Sequence, residues 1–343
     1  MKLFRWGIVG CGNIARFHAK ALQELDGAKL VACMSRSEES AKQFAQEFGI
    51  RWYPNLDDLL ENVDIISVCT PSGSRKDIVL EAAKRGVHVI TEKPIEVSLS
   101  TIDQMIEAAE KYGIVLGCIF QSRFGKAEQE LKKLLDTDEL GRIVLGEVDV
   151  RWFRSQEYYE SADWRGTWKY DGGGALMNQS IHSIDLLQWY LGPMVRVFGW
   201  TKTLARQIEV EDTAVAVLEF RSGALGVIKG CTSVAPGFAR KLGIYGSKGS
   251  LEIIGETLVR YGFQTPKGKI LVAEEGDTSS DPMAFPYQNH KRQLADFLNA
   301  VREGHSPLVD GKEARKSVEI VLAIYKAAKE GTVVELPLKQ KGG

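Results

Sequence analysis

Short apolar runs alternate with helical periodicity along the first third of the chain. Residues 3–9 form an apolar run, Gly10 and Gly12 follow, and a 3.6-residue pattern then extends to about Leu25. Residues 29–34 predict a second strand. Residues 37–48 predict a helix, with Ser37 placed to cap it and Glu38 and Glu39 in its first turn, where carboxylates favour the positive end of the helix dipole. The run 63–69 predicts a strand stopped by Thr70-Pro71-Ser72-Gly73. A helix to Arg85, a strand over 87–91, a helix opened by the capping-box pattern Ser100-x-x-Asp103 and a strand over 114–120 complete the series. Strands that alternate with helices imply parallel crossover units and a sheet covered on both faces.

Beyond about Gln121 the pattern changes. A helix to Leu135 precedes a long strand over 142–153, an aromatic, glycine-rich stretch reaches Gly174, and 176–191 reads as a helix. Several strands separated by turn signals occupy 195–272, and two helices over 287–302 and 311–329 close the chain. The expected fold is therefore a parallel α/β domain over 1–121, then an α+β domain with a large, open, mostly antiparallel sheet over 122–343. The C-terminal helices are free to pack back on the first domain.

Composition narrows the function. At 44% hydrophobic and 26% charged, with 44 Lys and Arg against 45 Asp and Glu, the chain is neither disordered nor a polyanion binder. Nucleic acid and an anionic membrane are excluded as main partners, and no apolar run is long enough to span a bilayer. The stretch after Lys2 and Arg5 ends at Gly10, too soon for a signal core. Five dispersed cysteines without a C-x-x-C pair fit neither a disulfide framework nor a zinc site, which points to a reducing cytoplasm. Glycine is in excess, 34 of 343 residues, so its placement matters.

Gly10-Cys11-Gly12-Asn13-Ile14-Ala15 matches G-x-G-x-x-A between the first strand and the first helix. Gly10 permits the turn, Gly12 lets backbone approach a pyrophosphate, Ala15 lets helix and strand pack, and the helix N-terminus offers amides to phosphate. This matches the Rossmann arrangement for a dinucleotide, with Asn13, Ile14, Thr70, Pro71 and the Glu92-Lys93 turn as further expected contacts; the alternative is a tight strand–helix turn that binds nothing. Where an NAD-specific site carries an acidic residue, the second strand ends in Ser35-Arg36-Ser37. Arg36 would clamp the 2′-phosphate of NADP, which is favoured; it would otherwise stack on the adenine of NAD or face solvent.

Thr91-Glu92-Lys93-Pro94 lies at the carboxyl end of the run 87–91, the edge at which open parallel sheets bind ligands. Pro94 restrains Lys93 to an extended conformation. Further on, Gly172-Gly173-Gly174 leads into a helix on which Asn178, His182 and Asp185 fall at i, i+4 and i+7, with Ile181, Ile184, Leu187 and Leu191 on the other side. The glycines admit a ligand or another chain segment. The polar face makes His182 a candidate acid–base group, or a buried histidine bonded to Asp185. No metal is expected, because His182 has no partner at ligand spacing.

The order G-x-G-x-x-A, Glu-Lys-Pro, Gly-Gly-Gly…His-x-x-Asp resembles the glucose–fructose oxidoreductase/inositol dehydrogenase (Gfo/Idh/MocA) family over essentially the whole chain. The resemblance implies a Rossmann domain, an open-faced sheet domain, a homodimer or homotetramer, and Lys93 and His182 as catalytic residues. Relatives commonly carry Asp four residues before that His; this chain has Asn178, better suited to binding than to proton transfer. The implied reaction is reversible NAD(P)-dependent oxidation of a ring hydroxyl of a sugar or sugar derivative. His182 would take the hydroxyl proton and Lys93 stabilise alkoxide charge, or the two roles exchange. Arg123, Trp164, Arg165, Asn178, His182, Asp185 and Lys93 are the expected substrate contacts. Aromatic residues with cations over 151–169 suit a pyranoside, uronate or sugar nucleotide, or else an oligomer interface. The alternatives are an NAD(P)-retaining enzyme that cleaves glycosides through a transient 3-keto sugar, an inositol or polyol dehydrogenase, and a non-catalytic cofactor-binding regulator.

Overall fold

The computed structural model describes residues 2–262, 265–272 and 287–339. Two compact units divide the chain, Met1–Gln121 with Tyr287–Arg315, and Ser122–Pro286 with Lys316–Gly343. In the first, strands β1 (Phe4–Val9), β2 (Ala28–Met34), β3 (Arg51–Trp52), β4 (Ile65–Val68), β5 (His88–Thr91) and β6 (Leu116–Cys118) form one sheet in the order β3-β2-β1-β4-β5-β6. Every neighbouring pair is parallel. Helices α1 (Asn13–Gln23), α2 (Glu38–Phe48), α3 (Leu56–Leu60), α4 (Lys76–Lys84) and α5 (Leu99–Tyr112) connect the strands. The order reverses between β1 and β4, which opens a crevice at the carboxyl ends of those strands.

Local chemistry accounts for most boundaries. Ser37 Oγ accepts the Ser40 amide at 3.2 Å, and Gly49 closes α2 with φ +66°. The two-residue β3 and the short α3, capped by Asn55 Oδ1 on the Asp58 amide at 2.9 Å, are too brief for periodicity to reveal. The capping box expected from Ser100 does not form. Ser98 occupies the N-cap, and the Asp103 carboxylate instead pairs with Arg315 at 2.6 Å. Buried Trp6, Ile8, Phe44, Ile65 and Ile90 make the core of this unit.

The second unit carries α6 (Lys126–Leu135), β7 (Ile143–Arg151), α7 (Gln156–Glu160), a π-helical segment (Ala175–Ser180) and α8 (Ile181–Leu191). Strands β8 (Met194–Lys202), β9 (Thr213–Phe220), β10 (Leu225–Cys231), β11 (Lys241–Gly246), β12 (Gly249–Ile254), β13 (Thr257–Gly262) and β14 (Thr265–Val272) follow. After α9 (Gln288–Glu303), which belongs to the first unit, and α10 (Gly311–Glu330), β15 (Val334–Glu335) adds an edge. The nine strands run β14-β13-β12-β11-β7-β10-β9-β8-β15, with β7 and β10 the single parallel pair among them. One face packs on α8: a methyl at Gly146 would meet Leu187 and Leu191 at 2.8 Å. On the other face Trp200 and Val215 are cross-strand neighbours, as are Phe198 and Val217, and Trp200 is 59% exposed. Among the described residues no helix is long and apolar enough to cross a membrane.

Candidate active site

The carboxyl ends of β1, β2, β4 and β5 bring Gly10, Ser35, Thr70 and Glu92 to one edge of the first sheet. Gly10 has φ +94°, and a Cβ there would lie 2.9 Å from the Cys69 carbonyl carbon, so the turn needs glycine both for its backbone and for its neighbour. Gly12 differs. A Cβ at Gly12 meets nothing within 4 Å, so its side opens on free space. It caps α1 without a side-chain bond, and no acidic residue occupies the first turn of that helix. The amides at that terminus are therefore available to an anion. Asn13 is exposed, Ile14 half-buried, and Pro71 half-buried beside Thr70, whose Oγ1 is buried without a hydrogen-bond partner among the described residues. Open amides, free space at Gly12 and an orphaned hydroxyl fit a nicotinamide dinucleotide. Ser35 is half-buried and Arg36 exposed, with the neighbouring Ser37 hydroxyl committed to its cap.

The Glu-Lys-Pro turn is held from beneath. The Lys93–Pro94 bond is cis. Arg75, only 3% exposed, donates through Nη1 to the carbonyls of Glu92 and Pro94, and through Nε and Nη2 to the Thr70 carbonyl at 3.1 and 2.8 Å. Lys93 is thus flanked by two carbonyls pinned to one guanidinium, and its own amide donates to Glu92 Oε2 at 3.2 Å. No sequence signal distinguishes Arg75 from a surface arginine.

In the second unit the glycine triplet makes room for protein. A Cβ on Gly173 would lie 2.0 Å from the Tyr325 hydroxyl, and one on Gly174 equally close to the Glu211 carbonyl oxygen. Glu211 then accepts the Gly174 and Leu176 amides at 3.0 and 2.8 Å and the Tyr325 hydroxyl at 2.8 Å, which anchors the start of the helical segment. Of the two possibilities read from the glycines, the structure realises close approach of another chain segment.

The helix is not amphipathic as spacing suggests. From Ala175 to Gln188 every residue is buried except Asn178, Gln179 and His182. Asp185 is turned inward, 0% exposed, where Arg123 Nε and Nη2 each reach it at 2.7 Å and Ser317 Oγ donates at 2.8 Å. Arg123 itself is 1% exposed. The structure therefore brings two of the expected substrate contacts together as a buried ion pair, away from the partly exposed Asn178 and His182.

Around the exposed positions lies a polar network. Asn178 donates to Asp171, Gln179 Nε2 reaches Asn178 Oδ1 at 3.1 Å and the Tyr158 hydroxyl at 3.2 Å, and Arg154 donates to Gln179 Oε1 at 3.2 Å. Arg165 donates to the Tyr158 hydroxyl at 2.7 Å and stacks on both Tyr158 and Trp164, its guanidinium 4.4 and 4.5 Å from the ring centres. Gln179 was not anticipated by the polar-face argument, and the arginines are more closely bound to aromatic rings than composition indicates.

A parallel sheet with an anion-ready glycine turn defines a dinucleotide-binding fold, and comparison with known proteins makes it that of an oxidoreductase. A model described as oxidoreductase family, NAD-binding Rossmann fold matches residues 4–120, and one described as Gfo/Idh/MocA C-terminal domain matches 129–252. The WlbA dehydrogenase of Bordetella pertussis, solved with NADH and UDP-GlcNAcA, superposes with a TM-score of 0.86 at 33% identity, over 98% of this chain and 100% of that one. Myo-inositol 2-dehydrogenase of Thermotoga maritima is 28% identical over 97% of this chain and 98% of its own length. The scyllo-inositol 2-dehydrogenase (NAD(+)) of Bacillus subtilis is 25% identical over 98% and 97%. The chain belongs to the Gfo/Idh/MocA family and is an NAD(P)-dependent oxidoreductase acting on CH–OH groups.

Proposed function

We propose that this enzyme reversibly oxidises a ring hydroxyl of a sugar that carries an anionic group, a uronate or a sugar nucleotide. The observation that carries this reading is the Arg154, Arg165, Tyr158 and Gln179 network beside Asn178 and His182. Stacked guanidinium groups suit a carboxylate or phosphate, and aromatic faces suit sugar C–H surfaces. The likeness to WlbA, which was solved with UDP-GlcNAcA, points the same way. NAD(P), held by Gly10, Gly12, Asn13, Ile14 and Thr70, supplies the hydride acceptor. His182 takes the hydroxyl proton, and cationic Lys93 hydrogen-bonds the same oxygen as it gains negative charge. Asn178, with no proton to exchange, orients the sugar. Arg123 and Asp185 support the helix from inside and do not touch substrate. Exposed Arg36 favours NADP through its 2′-phosphate.

A second copy covers the apolar sheet face at Phe198, Trp200, Val215 and Val217, and the enzyme works in the cytoplasm, in keeping with five buried free cysteines. The test is nicotinamide absorbance with UDP-GlcNAcA, free uronates, neutral pyranoses and inositols, each with NAD and NADP. Turnover is expected with the anionic sugars. Turnover restricted to inositols would replace this substrate class, and sugar release without net reduction would favour the glycoside-cleaving alternative. Lys93→Ala and His182→Ala should each abolish turnover while NAD(P)H still binds.

A further inference from the structure

Behind the Glu-Lys-Pro turn lies a buried cluster of titratable groups, within the first unit, that the reaction just described does not use. His18 on α1 is 0% exposed, Glu92 5% and His290 on α9 1%. His18 Nε2 stands 2.9 Å from Glu92 Oε1, and its Nδ1 3.0 Å from Ser67 Oγ, which accepts the Trp6 indole N–H at 2.9 Å. The other carboxylate oxygen of Glu92 accepts the Lys93 amide at 3.2 Å. With His18 neutral and protonated on Nε2, the chain runs in one direction: Trp6 donates to Ser67, Ser67 to His18, His18 to Glu92. Protonation of Nδ1 reverses only the Ser67 bond and keeps the one to Glu92.

Charge follows the same geometry. Burial opposes charge on His18, but Cys69 and Glu92 outweigh it and raise its pKa to about 10. Burial would push the Glu92 carboxyl up, yet His18 and then His290 hold it well below its ordinary range. Burial lowers His290, whose Nε2 is 3.7 Å from Glu92, so His18 carries the compensating charge. Among the described residues Arg75 also faces Glu92, on its carbonyl, as does Cys118 from β6, with Sγ 3.7 Å from that carbonyl.

We propose that His18 is a positioning residue for Lys93, acting by holding the Glu92 carboxylate against the Lys93 amide and so fixing the turn from which the ammonium projects. The proposal rests on the catalytic reading of Lys93. The same three side chains bring potential ligand atoms within 4.8 Å of one another, but the His18–Glu92 separation is that of a hydrogen bond.

The decisive pair of variants is His18→Asn, whose amide can replace Nδ1 towards Ser67 but falls short of Glu92, and His18→Gln, which reaches Glu92 with its own N–H. The first readout needs no substrate: the NMR shift of the Lys93 backbone amide in the full chain between about pH 5 and 8, where a buried carboxyl left with only the more distant His290 titrates. It should be flat in the wild type, titrate in His18→Asn, and return towards flat in His18→Gln and in Glu92→Gln. The second readout is turnover with UDP-GlcNAcA and NAD(P) as probes. His18→Asn should lower kcat by up to about 100-fold, the scale of a misplaced catalytic group. The acid limb of its kcat profile should move to higher pH, and the NADH Kd should stay within about twofold, since cofactor affinity is not the term affected. Should His18→Asn not fold, Glu92→Gln carries the same expected fall in kcat, without the move of the acid limb, since its amide does not titrate. A flat Lys93 amide in His18→Asn, or undiminished kcat in Glu92→Gln, overturns the proposal. So does one equivalent of zinc in the purified protein that is lost with His18→Asn. Full turnover in Lys93→Ala would instead sink the catalytic reading, whatever the amide does.

Discussion

Replacing Asp185 with asparagine removes one charge from a buried ion pair. The Arg123 guanidinium meets the carboxylate with a two-pronged contact at 2.7 Å on each side, and both side chains are 1% exposed. Ser317 adds a third donor at 2.8 Å, and the Trp189 ring lies 5.3 Å from the guanidinium carbon. Asparagine keeps one acceptor, turns an NH2 group towards the remaining donors and takes the countercharge away from the Arg123 guanidinium. Breaking one side of a buried pair costs about 3–5 kcal/mol, because the survivor has lost water and gained nothing. For a unit of this size each kcal/mol moves the melting point by about 2–4 °C, so the transition should fall by roughly 6–20 °C. Calorimetry of Asp185→Asn, Arg123→Met and the Arg123→Met/Asp185→Leu double variant provides the assay. The double variant buries no charge and should recover much of the loss that each single change causes. If Asp185→Asn melts like the wild type and raises KM for the sugar instead, the pair binds substrate and the buried-strut argument is wrong.

Three further outcomes follow from other parts of the structure. Gly12→Ala should fold normally, because its Cβ enters free space, yet weaken NAD(P)H binding measured by fluorescence; Gly10→Ala, at φ +94° and 2.9 Å from Cys69, should also lower the melting point. Arg36→Glu should shift the ratio of kcat/KM values from NADP towards NAD, and an unchanged ratio would leave Arg36 facing solvent in the complex. Trp200→Lys with Val217→Lys places charge on the apolar sheet face and should shift the mass measured by light scattering towards the monomer, without loss of secondary structure by circular dichroism.

Backbone-driven features were legible in the sequence because they depend on neighbours along the chain. The alternation of strands and helices, the Ser37 cap and the Gly10 turn all follow from residues a few positions apart. Where the structure departs from expectation, a distant partner decides. Asp103 was placed to close a capping box, but Arg315, 212 residues away, takes its carboxylate. Spacing set Asp185 beside His182 on a polar face, an inference that holds only while polar side chains face outward. Arg123, 62 positions earlier, neutralises Asp185 and lets it go inside, and nothing in the residues around Asp185 marks that choice.

The same reasoning separates the two halves of the candidate site. The glycine turn was readable because its backbone geometry is encoded by glycines at fixed spacing. The groups that hold Lys93 in place were not. Arg75, His18 and His290 act on the Glu92–Pro94 turn from the N-cap of α4, from α1 and from α9, so they converge only once the sheet is assembled. A buried arginine, histidine or glutamate is stable only when its partners are present, hence each of these residues is informative in the fold and silent in the sequence. The Gly172–Gly174 triplet marks the boundary between the two cases. Its spacing announced a close approach, but only the positions of Glu211 and Tyr325 show that what comes close is the protein's own chain, anchoring the helix that presents His182.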